Sequence, residues 1–162
     1  SAMTEAMTHF GNPSSLHSLG QDAHTLLNRA RAQVGAALGV KAVKPNELIF
    51  TSCGTEASAL AIYGVVYAKP RRFANRIIPT DCEHPSVEEA MKRLEADGLE
   101  VVRISTKNGV LDVESAIRAL ETPTLLVSMM MVNNETGALY DVKGAFERIK
   151  RAYPAERNQH LR

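Results

Sequence analysis

The chain has 162 residues, with 19 basic and 18 acidic side chains and a formal net charge of +1. This length suffices for one domain with a hydrophobic core. The balanced charge argues against binding to nucleic acid or to an anionic membrane surface. Two cysteines are too few for a disulfide framework or a cysteine metal site, and no apolar run approaches the roughly 20 residues of a membrane span. We therefore expect an intracellular, most simply cytoplasmic, protein.

The N-terminal part is predicted to contain a loop and one long helix. Residues 1–16 are expected to be an irregular segment, in which Ser1-Ala2-Met3 is typical of the remnant of a cleaved tag. A single domain is predicted over residues 17–162. Its first helix is expected over 17–38 from the spacing of apolar residues, with Gly39 as its stop. A turn over 44–47 should follow.

Beyond this turn the chain alternates predicted strands and helices. The strands are predicted over 48–51, 76–79, 100–105 and 124–132, and the helices over 55–67, 85–97, 112–120 and 141–152. Such alternation indicates an α/β fold with a mainly parallel sheet and helices on both faces. Ligands of such sheets bind at the carboxyl ends of the strands.

The step from the first predicted strand to its helix is rich in hydroxyl groups. Residues 50–57 read FTSCGTEA, which puts Ser52, Gly54 and Thr55 at the start of a helix. The first N–H groups of a helix lack internal partners and lie at the positive end of its dipole. A phosphate fits such a place, and the open alternative is a plain N-cap formed by Ser52 or Thr55. No Walker loop is present, because no Gly-Lys-Ser/Thr follows.

Residues 81–87, DCEHPSV, follow the second predicted strand. His84 lies there just before a helix, where an imidazole could stack on a flat ligand or move protons. The alternative is a loop histidine that is hydrogen-bonded to the backbone. Cys82 is interpreted as a small apolar residue rather than a nucleophile.

Residues 132–137, VNNETG, follow the fourth predicted strand. Adjacent amides there, Asn133 and Asn134, could direct a hydrogen bond at a ligand's ring oxygen, or they could close a turn with Gly137. Polar clusters after several strands of one sheet predict a binding rim. We therefore expect Gly54, His84 and Asn134 to lie at the same edge of the sheet.

Four motifs in this order resemble those of a known family. HFGNPSSLHSLG (9–20), FTSCGTEA (50–57), EHPSV (83–87) and VNNETG (132–137) are similar to motifs of the cysteine desulfurases. These are pyridoxal-phosphate enzymes of the class V aminotransferase group that serve iron–sulfur cluster assembly. The resemblance implies a partial pyridoxal-phosphate-transferase large domain. It also implies a reaction that takes sulfur from L-cysteine as an enzyme persulfide and leaves L-alanine.

The resemblance also implies roles for individual residues. Gly54 and Thr55 would receive the phosphate of pyridoxal 5'-phosphate. His84 would stack on the pyridine ring and act as a catalytic group in proton transfer, and Asn134 would hydrogen-bond the ring oxygen. A homodimer is implied, with a sulfur-acceptor or scaffold protein as partner. No metal is implied.

The chain departs from the family pattern in several places. Ser58 and Ala59 stand where the family usually has asparagines. The segments that carry the Asp for the pyridine nitrogen, the Schiff-base lysine and the catalytic cysteine are missing. None of the lysines of the chain lies in a Ser-x-His-Lys motif. They are Lys41, Lys44, Lys69, Lys92, Lys107, Lys143 and Lys150. Neither Cys53 nor Cys82 is at the position of the cysteine that forms the persulfide in the family. We thus expect a truncated chain with half a cofactor site, inactive alone. Selenocysteine lyase and a non-catalytic domain that binds a phosphorylated ligand or a partner remain alternatives.

Overall fold

The computed structural model describes residues 1–40, 44, 47–68 and 74–153. Its helices are α1 Ala2–Ala6, α2 Ser18–Ala37, α3 Gly54–Tyr67, α4 Pro85–Ala96, α5 Val113–Ala119 and α6 Val142–Ala152; its strands are β1 Arg76–Pro79, β2 Glu100–Val101 and β3 Thr124–Ser128, and a 3-10 turn covers Lys107–Gly109. All five helices expected from the sequence are confirmed, with ends that agree within one or two residues. The chain forms two units, Ser1–Phe50 and Thr51–Arg162, and the predicted division after residue 16 stays a prediction.

The first unit is built around α2. The helix begins after His17, whose Nδ1 accepts a hydrogen bond from the N–H of Gly20. A Cβ at Gly20 would lie 2.5 Å from the carbonyl oxygen of Ser15, so glycine lets the preceding loop pack against the first turn. The segment that was expected to be irregular contains α1, because the Ser1 hydroxyl accepts from the N–H of Thr4 and caps it.

The second unit contains a three-stranded parallel sheet in the order β2-β1-β3. Consecutive side chains of a strand point to opposite faces, and β1 shows this clearly. Ile77 packs with α3 and α4 through Ile62 and Met91. Ile78 packs with α5 and α6 through Ala116 and Ile149. The predicted α/β architecture, with a parallel sheet between two helical layers, is confirmed.

The strand predicted over 48–51 is wrong, since the backbone there is irregular. Ile49 and Phe50 keep 66% and 47% of their surface exposed. A strand needs a neighbour to satisfy its backbone groups, and no strand among the described residues pairs with this segment. Apolar, β-favouring residues alone therefore did not suffice to form a strand.

β1 has the predicted ends, whereas β2 and β3 are shorter than their patterns predict. After β2 the pairing continues only as a single bridge between Thr80 and Ile104, and β3 ends at Ser128 because Val132 pairs with Leu139 in a separate antiparallel bridge. Pro45 and Asn46, which the predicted turn includes, lie outside the described residues. None of the helices in the described part of the chain is long and apolar enough to cross a membrane.

Candidate functional site

The start of α3 lacks a side-chain cap. Cys53 is its N-cap residue and makes no capping hydrogen bond of ordinary geometry. Gly54 is the first helical residue, and a Cβ placed there would meet no heavy atom of the described residues within 4 Å. The sequence-based alternative, with Ser52 or Thr55 as the cap, is thus wrong. The open space beside Gly54 therefore adjoins a helix end whose first N–H groups have no acceptor within the helix.

Ser52 is engaged by a carboxylate of the first turn. Its N–H and its hydroxyl donate to Oε2 of Glu56 over 2.7 and 2.6 Å. The hydroxyl, followed by the N–H, lowers the pKa of the Glu56 carboxyl. This contact resembles a capping box in which the acidic residue reaches back past the N-cap. It fixes the approach of the chain to α3 and occupies the Ser52 donors.

Cys53 carries a thiol with a lowered pKa. The N–H of Glu56 is the largest cause, the Ser52 hydroxyl adds to it, and burial opposes both. Its sulfur lies 3.8 Å from the Ser52 hydroxyl oxygen, and the residue is exposed. Helix N-termini stabilise thiolates in this way. The position could have been noticed in the sequence, because Cys53 lies two residues before the helix predicted over 55–67.

His84 is the N-cap residue of α4. Its Nδ1 accepts from the N–H of Ser86 over 3.1 Å and lies 2.8 Å from the Ser86 hydroxyl oxygen. The ring is therefore bonded to the backbone, as the alternative proposed. The residue is nevertheless exposed, and within the described part of the chain no hydrogen-bond partner is found for its Nε2. One nitrogen holds the helix start and the other faces outward.

A contact between serines links the starts of α3 and α4. The hydroxyl oxygens of Ser58 and Ser86 are 3.4 Å apart, and both residues are half-buried. Ser58 lies about one turn beyond Gly54, and Ser86 lies two residues beyond His84. The sequence interpretation noted Ser58 only as a departure from the family pattern and did not predict this contact.

Thr80 connects the ends of β1 and β3. It is 1% exposed, and its N–H donates to the carbonyl of Ser128 over 3.0 Å. Its hydroxyl donates to Oε1 of Glu83 over 2.6 Å and accepts the N–H of Met130 over 3.3 Å. These bonds hold the segment that leads to His84 beside the segment that leads to Asn134. The sequence signal for this role was a hydroxyl-bearing residue directly after an apolar strand.

The second asparagine of VNNETG is exposed, whereas the first one shapes the turn. Oδ1 of Asn133 accepts from the N–H groups of Glu135 and Thr136 over 3.0 and 2.9 Å, and Gly137 has a φ of 70°. The turn alternative thus holds for Asn133. Asn134 keeps an exposed amide at the tip of the hairpin, and its role toward a ligand stays a prediction.

Two direct links therefore join the predicted site segments. The serine pair connects the Gly54 and Thr55 region with His84, and Thr80 connects the His84 loop with the strand end that precedes Asn134. The linked segments carry helix N–H donors, an imidazole and an amide, groups that suit a ligand with a phosphate and a polar ring. Among the described residues no group of three or more His, Cys, Asp or Glu side chains could hold a metal ion.

Comparison with known proteins points to one family. The family model for aminotransferase class-V matches residues 1–155. A NifS/IcsS protein homolog of Lactobacillus delbrueckii subsp. bulgaricus is 44% identical over 146 residues, which cover 90% of this chain and 37% of the relative. A cysteine desulfurase of Nostoc sp. is 38% identical over 143 residues, which cover 88% of this chain and 34% of the relative.

A solved structure of a NifS-like protein superimposes with a TM-score of 0.83 at 32% identity. The match covers 94% of this chain and 42% of that one. The chain thus spans about a third of the length of the curated relatives that it matches. The resemblance drawn from the four sequence motifs is confirmed at the level of the family.

Proposed function

Because the chain belongs to the aminotransferase class-V family of pyridoxal-phosphate enzymes, we propose that it contributes phosphate- and ring-binding residues to the cofactor site of a cysteine desulfurase. The uncapped start of α3 is the observation that carries this proposal. The names of the relatives support the choice of reaction.

The phosphate group would bind at Gly54 and Thr55. The N–H groups of the first turn supply donors, the helix dipole favours a dianion, and the open space at Gly54 admits it. The hydroxyl of Thr55 adds one more donor. Glu56 does not block the approach, because its carboxylate is drawn back toward Ser52.

The ring would lie between His84 and Asn134. When bound, pyridoxal phosphate supplies an electron sink for bond changes at the substrate's α-carbon. His84 would stack on the ring and hold or move a proton at Nε2, the ring atom that the helix cap leaves available. Asn134 would offer its amide to the ring oxygen. The exposure of both side chains suits contact with a ligand.

The substrate proposed for the whole protein is L-cysteine, whose sulfur passes to an enzyme thiol and leaves L-alanine. A sulfur-acceptor or scaffold protein would then receive the sulfur. For the 162 residues alone we expect weak, non-covalent binding of pyridoxal phosphate and no alanine release, because no lysine lies in the family's Ser-x-His-Lys context. Binding is expected to be weak because only a few contacts are present to offset the free-energy cost of the ligand's lost translational freedom.

An absorbance titration with pyridoxal phosphate, followed by borohydride reduction and peptide mapping, tests this proposal. We expect saturable binding that inorganic phosphate displaces, without one stoichiometrically labelled lysine. Thr55→Glu should abolish binding, because a carboxylate would replace a phosphate donor. Ser115→Glu, the same change in the first turn of α5, should not. Absence of saturable binding would overturn the cofactor site, and a single labelled lysine would overturn its non-covalent character.

We further propose that the protein is a homodimer. Met131, Val132 and Leu139 expose 60%, 54% and 69% of their surface on one hairpin, and apolar surface of this kind is commonly covered by association. Light scattering at increasing concentration should show a dimer or larger species. A monomer at every concentration would contradict the proposal.

A further inference from the structure

His84 is held by a serine whose hydrogen bonds define the state of its ring. The N–H of Ser86 donates to Nδ1 of His84 over 3.1 Å. A backbone N–H can only donate, so Nδ1 is the unprotonated nitrogen of the neutral ring. The ring proton of neutral His84 is therefore on Nε2, the nitrogen that faces away from the helix start.

The two hydroxyl groups continue this arrangement toward α3. The Ser86 hydroxyl oxygen lies 2.8 Å from Nδ1, and because Nδ1 accepts, the hydroxyl proton is directed at it. Ser86 is also the donor in its contact with Ser58 over 3.4 Å, so Ser58 Oγ is a second and more distant acceptor for the one hydroxyl proton of Ser86. Both serines are half-buried while His84 is exposed, so the chain of contacts runs from the packed helix starts out to the ring.

We propose that Ser86 is a positioning residue that holds neutral His84 with its proton on Nε2. The outward nitrogen is then a proton donor toward whatever ligand lies between the starts of α3 and α4. For Nε2 to act as a base, the neutral ring would have to lose its bond from the Ser86 N–H. The inference rests on the proposed function only for the identity of that ligand, because the ring state belongs to the ligand-free chain.

Long-range ¹H–¹⁵N spectra of the ligand-free chain test the ring state directly. At mildly alkaline pH, the His84 signals, identified by their loss in His84→Gln, should show the Nε2–H tautomer. Ser86→Ala removes the hydroxyl and should let the Nδ1–H tautomer appear. Ser58→Ala removes only the competing acceptor and should keep the Nε2–H tautomer, and Ser86→Thr, which keeps a hydroxyl, should show the wild-type pattern.

Ser115→Ala is the matched control, since it removes a hydrogen-bonded serine from the first turn of α5. It should leave the His84 spectrum unchanged. A wild-type ring with its proton on Nδ1 would overturn the inference. The same tautomer in wild type and Ser86→Ala would overturn it as well.

Binding measurements then separate this inference from the proposed function. If both hold, Ser86→Ala should weaken binding of pyridoxal phosphate about threefold to tenfold, the size of one lost hydrogen bond, while binding of inorganic phosphate stays unchanged. Equal pyridoxal phosphate affinity in Ser86→Ala and wild type would overturn the positioning role alone. If wild type binds no pyridoxal phosphate, the proposed function fails, and the spectra still decide the state of the ring.

Discussion

The helices α3 and α5 begin in opposite ways. The start of α5 is closed by its own chain, because Oδ1 of Asp112 accepts the N–H of Ser115 over 2.9 Å. At the start of α3, Cys53 provides no such side-chain bond, and the space beside Gly54 is open among the described residues. α6 follows the first pattern, with Asp141 accepting from the N–H of Gly144 over 2.9 Å. A self-capped start contributes to stability, whereas an open one has donors left for a ligand.

The change with the largest expected effect converts the open start into a closed one. Cys53→Asp places a carboxylate at the N-cap of α3, as in α5. It should raise the thermal midpoint, because aspartate is among the best N-caps. It should also weaken inorganic phosphate binding at least about tenfold, since the new carboxylate repels the anion and takes its donors.

Isothermal titration and thermal denaturation check this variant, and Cys53→Ser serves as its neutral control. Serine can cap without adding charge, so it should stabilise α3 with a smaller loss of phosphate affinity. Unchanged phosphate affinity in Cys53→Asp would show that the anion does not bind at this helix start.

Removing the cap from a closed helix start should lower the free energy of unfolding and leave phosphate binding unchanged. Asp141→Ala removes the acceptor for the Gly144 N–H and should lower the free energy of unfolding by about 1 kcal/mol. Asp141→Asn keeps a side-chain oxygen and should lose only a fraction of that. Urea denaturation measures both variants. A phosphate affinity that falls in parallel with stability would contradict the separation between the two kinds of helix start.

The pH dependence of the free energy of unfolding should also distinguish the starts of α5 and α3. This effect should be smaller than the effects of the substitutions described above. The Ser115 hydroxyl, followed by its N–H, lowers the pKa of Asp112. Its stabilising contribution is therefore present above the ordinary carboxyl pKa of about 4 and is lost as the pH falls through the lowered value.

The Cys53 thiol also has a lowered pKa, chiefly through the N–H of Glu56. Its contribution is complete above the ordinary thiol pKa of about 8.5 and is lost as the pH falls through the lowered value. Urea midpoints across the pH range should thus lose an acid-side slope in Asp112→Asn and an alkaline-side slope in Cys53→Ala. The reverse pattern would contradict the pKa directions.

The fold was predictable where one segment carries its own signals. β1 was predicted with the observed ends, and α4 was predicted from Pro85 onward, because an apolar run and a proline at a first helical turn are local features. The strand predicted over 48–51 was wrong because strand pairing depends on a neighbour that is distant in the chain. β3 was predicted to be too long. Val132 is apolar and so continues the strand pattern in the sequence, but in the structure it pairs within a hairpin.

The candidate site was predictable in its positions and less so in its contacts. The polar residues after strands indicated His84 and Asn134, and the hydroxyl-rich turn indicated Gly54. The roles of Thr80 and of the Ser58–Ser86 pair could not be predicted, because each joins residues far apart in the chain. The cap of α3 was misplaced by one or two residues, within the usual uncertainty of helix ends.

The central claim is that only the open helix start binds the anion, and amide chemical shifts under titration with inorganic phosphate test it most directly. We predict saturable shifts at Gly54 and Thr55, and no comparable shifts at Ser115 or Gly144, whose N–H groups already have carboxylate acceptors. Equal shifts at all three helix starts, or shifts confined to α5 and α6, would contradict it.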